Sequence, residues 1–191
     1  MFLEQFPGEG RQNGWIEVIC GSMFSGKTEE LIRRIRRAEF ANQPLIMFKP
    51  EIDNRYSQEK VVSHKGTEFK AEIVKSSQEI LTKWKNQKIV AIDEAQFFDE
   101  HLVEVSNELA DKGVRVVIAG LDMDYLGIPF GPMPKLLSIA EYVTKVHAIC
   151  VSCGNLAQFS HRTASESGQV LVGAVEKYRP LCRTCYHIAT T

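Results

Sequence analysis

The sequence predicts an α/β fold: a mostly parallel sheet covered by helices on both faces, extended near the C-terminus by a small cysteine-pinned unit. Three observations predict it. Short, nearly all-apolar runs such as Ile89 to Ile92 and Val114 to Ala119 alternate with segments of helical period. A glycine-bracketed loop, Gly21-Ser22-Met23-Phe24-Ser25-Gly26-Lys27-Thr28, lies between a strand pattern and a helix pattern. Two Cys-x-x-Cys pairs stand near the C-terminus.

The elements follow in order. Met1 to Gly14 is polar, contains glycine and lacks an apolar signal core, so it reads as a loose leader ahead of the first strand. Trp15 to Cys20 is rich in large and β-branched residues and reads as that strand. Leu31, Ile35 and Ala38 then recur at helical spacing, with Arg33, Arg34, Arg36 and Arg37 expected on solvated faces beside Glu29, Glu30 and Glu39. Leu45 to Phe48 is a short strand ending at Lys49-Pro50. Val61 to His64 and Glu68 to Val74 read as a hairpin around Lys65-Gly66. Ser76 or Ser77 can cap a helix running towards Trp84. Ile89 to Ile92 is a buried strand running into Asp93-Glu94. Leu102, Val105 and Leu109 mark a helix stopped at Gly113, and Val114 to Ala119 is the next buried strand. Pro132 to Ala140 reads as a helix, and Val143 to Ile149 leads into the first cysteine pair.

The whole chain sets limits on function. At 191 residues it holds one full core plus a small appendage. A formal net charge of −1 gives no reason to expect nucleic acid as a partner. No apolar run approaches membrane-spanning length, so a cytoplasmic location is the default.

The glycine-bracketed loop fits the phosphate-binding pattern. Gly21 and Gly26 let the backbone turn so that its amides converge on phosphate oxygens. Lys27 brings a positive charge to the outer phosphates, and Thr28 a hydroxyl for Mg2+. The following helix aims its positive end at the same place. Asp93, at the end of an apolar strand, is expected near Thr28 and Mg2+. Glu94 is then the natural general base, acting on a substrate hydroxyl or on water. Loop and base together do not distinguish a kinase from an NTPase.

Cys150-Val151-Ser152-Cys153 and Cys182-Arg183-Thr184-Cys185 suit a closed tetrahedral Zn2+ site, with sulfurs about 2.3 Å from the metal and no open position. His147 and His187 are not chosen as ligands. Cys20 reads as a small core residue. The excursion from Gly154 to Arg179 carries Gly168 to Gly173, Arg162 and Tyr178. A loop folding over a ligand and a plain zinc-ribbon hairpin fit its residues equally.

Taken together these motifs resemble the zinc-containing type II thymidine kinases, from about Gly14 to Tyr186. The resemblance rests on the phosphate loop, Phe48-Lys49-Pro50, Ile52-Asp53-Asn54-Arg55-Tyr56, Ser63-His64 and Asp93-Glu94-Ala95-Gln96-Phe97-Phe98. It continues through Gly120-Leu121-Asp122, Pro129-Phe130-Gly131, both cysteine pairs and Lys177-Tyr178. It implies a RecA-like phosphate-loop core over residues 15–146 and a zinc-binding, nucleoside-lid unit with a lasso-like loop over 147–191. It implies transfer of the γ-phosphate of ATP to the 5′-hydroxyl of thymidine, with Glu94 as base. Asp53, Arg55 and Gln96 match positions near the phosphates or the nucleoside. Met23, Leu121, Tyr125 and Phe130 match the apolar lining around thymine. Tyr178 and the backbone of Gln169, Val170, Leu171, Val172 and Gly173 match the lasso. Homotetramers and feedback inhibition by dTTP belong to the same resemblance. The chain departs from the family pattern at Ser22, where many members carry Pro, and at Tyr125, where Phe is common. The stretch between Arg162 and Gly168 also looks shorter than in many bacterial members. The rival reading is a phosphate-loop ATPase or GTPase carrying a zinc-ribbon nucleic-acid module.

Overall fold

A computed structural model of the chain describes residues 14–52, 60–62, 68–163 and 177–191. The Met1 to Gly14 leader therefore falls outside the described residues except for Gly14. So do Asp53, Arg55, the Lys65-Gly66 turn and the 169–173 segment.

Six parallel strands form the central sheet in the order β5-β2-β6-β7-β1-β8. They are β1 (Trp15–Cys20), β2 (Leu45–Pro50), β5 (Glu72–Val74), β6 (Ile89–Ile92), β7 (Arg115–Gly120) and β8 (Tyr142–Lys145). Strand alternation sends side chains to two separate cores. Ile19, Ala91, Val117 and Ala119 face α1 (Lys27–Phe40), meeting Leu31, Ile32, Ile35 and Ala38. Val18, Ile92, Val116 and Ile118 face the opposite layer. That layer is α2 (Gln78–Lys83), α3 (Leu102–Asp111) and α4 (Met133–Ile139). The expected sheet, covered on both faces, is the one observed.

Three local expectations are corrected. Arg34 does not lie on a solvated face: it is 2% exposed and pairs with Glu17 at 2.8 Å and Glu30 at 2.9 Å. Glu17 alternates with Ile16 and Val18 on β1, so it points into the α1 core and requires a cation there. The arm from Glu68 to Val74 is not one strand. β3 (Lys60–Val62) pairs antiparallel with β4 (Glu68–Lys70), as the hairpin reading expects. After buried Ala71, β5 leaves the hairpin and joins β2 in the main sheet. Ser77 precedes α2 but makes no side-chain cap; its hydroxyl donates to Asp99.

Beyond β8 the chain forms β9 (Ala148–Ile149), β10 (Leu156–Ala157), β11 (Phe159–Arg162), β12 (Tyr178–Leu181) and α5 (Arg183–Thr190). β9 pairs with β10, and β11 with β12, as two small antiparallel ribbons. Ala148, Cys150, Ala157, Leu181 and Cys182 form their own core. Among the described residues no helix is long and apolar enough to cross a membrane.

Candidate active site

The site lies at the carboxyl ends of the central strands, where open parallel sheets bind ligands. β1 ends at Cys20, and Gly21 turns the chain with φ 147. A Cβ on Gly21 would stand 2.1 Å from the Val146 carbonyl oxygen, so only glycine fits. Burial pushes the Cys20 thiol up to about 11, with nearby Asp122 adding to the shift, consistent with an inert core residue.

The loop is tied to itself. Ser25 Oγ and Lys27 Nζ both donate to the Ser22 carbonyl, at 2.7 and 2.8 Å. Phe24 (φ 64) and Gly26 (φ 84) take left-handed conformations that curl the chain into α1. The lysine ammonium is therefore folded back onto the loop backbone. Ser22 is 2% exposed and contributes backbone and packing rather than a solvent-facing side chain.

β6 delivers the acidic pair. Asp93 is 4% exposed, and its Oδ2 accepts from Thr28 Oγ1 at 3.1 Å. This places hydroxyl and carboxylate as the sequence predicts, and the two oxygens suit a hard divalent cation. Asp93 Oδ1 accepts from the Glu94 amide at 3.0 Å, and Glu94 itself is left-handed (φ 52). That bend lifts its carboxyl off the strand line into a half-buried position.

Gln96 occupies the next turn and is 2% exposed. Its Nε2 donates to Glu94 Oε2 at 2.5 Å, and its Oε1 accepts from the Leu121 amide at 2.8 Å. The amide thus joins the Glu94 carboxylate to the start of the loop after β7. Gly131 makes room: a Cβ there would meet the Gln96 carbonyl oxygen at 2.4 Å.

The loop from Asp122 to Phe130 is stapled by Asp124, whose Oδ1 accepts from the Leu126 and Ile128 amides at 2.9 and 3.0 Å. Phe130 is buried and meets Phe97 edge-on, with ring centroids 5.7 Å apart. Tyr125 is covered by the Arg162 guanidinium, 3.7 Å from its ring centroid. Arg162 also donates from Nε and Nη2 to the Tyr178 hydroxyl, at 3.1 and 2.8 Å. Tyr125 and Tyr178 are therefore brought together by a buried arginine that sequence reading placed in the excursion without a role. The signal is a matter of register: Arg162 and Tyr178 are direct partners across β11 and β12.

The four cysteines converge. Their sulfurs all lie within 4.8 Å of one another, and Cys153 and Cys182 Sγ are 3.6 Å apart. A tetrahedron with sulfurs about 2.3 Å from its centre has edges of about 3.8 Å, so the set fits a metal ion. Against burial, the amides of Cys182, Ser152 and Cys153 pull the Cys150 thiol below its ordinary range, favouring the thiolate form that binds metal. Neither histidine belongs to the cluster.

Comparison with known proteins places this geometry. The family model described as thymidine kinase matches residues 14–186. A thymidine kinase of Bacteroides fragilis is 58% identical over 189 residues, covering 99% of this chain and 95% of that protein. One from Bacteroides thetaiotaomicron is 58% identical, covering 97% and 94%. One from Porphyromonas gingivalis is 56% identical, covering 96% and 90%. A solved structure, the ATPase DotB of Legionella pneumophila, shares 16% identity at a TM-score of 0.40, over 68% of this chain and 35% of that one. That likeness is too slight to add to the sheet order seen directly. With a family match spanning nearly all its residues and relatives more than half identical end to end, the chain belongs to the thymidine kinase family.

Proposed function

We propose that this protein transfers the γ-phosphoryl group of ATP to the 5′-hydroxyl of thymidine, giving dTMP and ADP. The observation that carries the reading is a continuous run of contacts. Thr28 meets Asp93, Asp93 holds the Glu94 amide, Gln96 grips the Glu94 carboxylate, and Gln96 also holds Leu121. One end of that run is phosphate-binding in character. The other reaches Leu121, which by the family resemblance would join Met23, Tyr125 and Phe130 around a methyl-bearing pyrimidine.

Glu94 takes the proton from the 5′-hydroxyl as that oxygen attacks the γ-phosphorus. The bond from the γ-phosphorus to its bridging oxygen breaks, and ADP leaves. Lys27 and the amides of residues 21–28 offset the negative charge on the transferred group. Thr28 and Asp93 would hold Mg2+, which would supply positive charge against the phosphates. Gln96 orients the base, and Asp53 and Arg55 complete the phosphate side. Tyr178 and the backbone of 169–173 match the family's lasso, which would close over the nucleoside. Cys150, Cys153, Cys182 and Cys185 would hold Zn2+ as a structural ion, tying the two ends of the 147–191 unit together beside the kinase core of 15–146.

Homotetramer assembly, feedback inhibition by dTTP and residence in the reducing cytoplasm belong to the same proposal. The family match does not favour an ATPase or GTPase with a nucleic-acid ribbon. The test is a panel of nucleosides with Mg-ATP, followed for 5′-monophosphate. Thymidine should be the preferred acceptor. ATP hydrolysis at the same rate with and without nucleosides would reject the kinase reading.

A further inference from the structure

Three consecutive residues of the phosphate loop touch the cysteine-pinned unit. Ser22 Oγ donates to the Ala157 carbonyl at 3.4 Å. The Met23 amide donates to Ser160 Oγ at 2.9 Å. Phe24 packs on the small core of Ala157, Cys150 and Cys182, beside Cys185 and Tyr186. Ser160 is 4% exposed and sits on β11, opposite Pro180 of β12. Its neighbour Phe159 stacks on Tyr186 with centroids 4.4 Å apart. The serine is thus held in a strand that pairs with β12 and packs against α5.

We propose that Ser160 is a positioning residue for the phosphate loop. Its buried hydroxyl takes up the Met23 amide and sets the loop against the cysteine-pinned unit. The loop needs such a hold. Phe24, next to Met23, is left-handed at φ 64, a conformation that a non-glycine residue keeps only when its surroundings over-determine it. Remove the acceptor and a half-buried amide loses its partner, which favours other loop arrangements. Nucleotide then binds more weakly in proportion to the lost population of the competent loop. β11 thereby acts as a buttress for the ATP loop. This inference rests on the reading of residues 21–28 as the ATP site.

The experiment compares the full-length, metal-loaded wild type with Ser160→Ala and Ser160→Thr. The probe is a fluorescent ATP analogue with Mg2+; metal content and hydrogen exchange of a peptide spanning Met23 are measured in parallel. Ser160→Ala should bind the analogue roughly 5- to 30-fold more weakly. KM for ATP should rise by a similar factor, with kcat at saturating ATP within about threefold of wild type. Exchange at the Met23 peptide should quicken while metal content stays unchanged, and Ser160→Thr, which keeps the oxygen, should regain most of the affinity. Unchanged affinity in Ser160→Ala overturns the proposal. So does a loss that tracks loss of metal, or one that Ser160→Thr shares with its metal intact. A wild type that binds no analogue would remove the ATP reading itself, and this inference with it.

Discussion

Glu17→Gln tests how the buried charges hold the site's scaffold. Glu17 is 1% exposed and accepts from four donors. These are Arg115 Nε at 2.6 Å and Nη2 at 3.2 Å, Arg34 Nη1 at 2.8 Å and Trp15 Nε1 at 2.7 Å. The network spans β1, β7 and α1, and reaches β8 through Arg34 and Thr144. Losing one partner of a buried pair costs about 3–5 kcal/mol. Arg34 keeps Glu30 and Thr144, which places the expected cost near the lower figure, about 3 kcal/mol. For a chain of this size that lowers Tm by roughly 6–12 °C. The sign with pH follows from the shift. Burial raises the Glu17 carboxyl, but hydrogen bonds and charge from Arg115, with Trp15 and Arg34, outweigh it and hold the group below 4.5. A depressed carboxylate contributes stability above its unfolded pKa and loses it as pH falls through the folded one. Thermal melts at pH 7 and in steps below 4.5 should show a gap between wild type and variant that closes towards acid. Equal melting at pH 7, or a gap that persists undiminished into strong acid, would refute this account of Glu17.

Three further outcomes are expected. Gly21→Ala should abolish binding of the ATP analogue and lower Tm, because its Cβ would overlap the Val146 carbonyl at a φ of 147; retained binding would show that the loop tolerates a shift there. Cys182→Ser should abolish stoichiometric zinc binding, read by elemental analysis, and expose residues after Ala148 to limited proteolysis; full zinc occupancy would rule out a four-cysteine site. Gln96→Leu removes the donor on Glu94 and the acceptor for Leu121, so kcat should fall roughly 10- to 100-fold with zinc content unchanged. Unaltered turnover would deny Gln96 its orienting role.

Much of the fold was legible because its signals are local. Apolar runs such as Ile89 to Ile92 mark strands buried on both faces, and Gly113, at φ 81, ends α3 as its position predicts. The phosphate loop, Asp93-Glu94 and the cysteine pairs are contiguous strings whose chemistry is visible before folding. What stayed hidden depends on register between distant segments. Arg34 looks like its exposed neighbours until β1 turns Glu17 towards it. Ser160 and Arg162 are unremarkable in sequence. Their roles arise because β11 lies beside the phosphate loop and Tyr178 faces Arg162 across the ribbon. The end of β4 at Lys70 was hidden too, since the draw of the β2 edge on residues 72–74 is a tertiary effect.

The central claim is that Glu94 activates an alcohol beside a phosphate loop, and Glu94→Gln tests it most directly. The amide keeps the shape of the side chain but cannot accept the proton. ATP-analogue and thymidine affinities should stay within about threefold of wild type, while the single-turnover rate of dTMP formation falls by roughly two to four orders of magnitude. A near-normal rate of dTMP formation from Glu94→Gln would contradict the account.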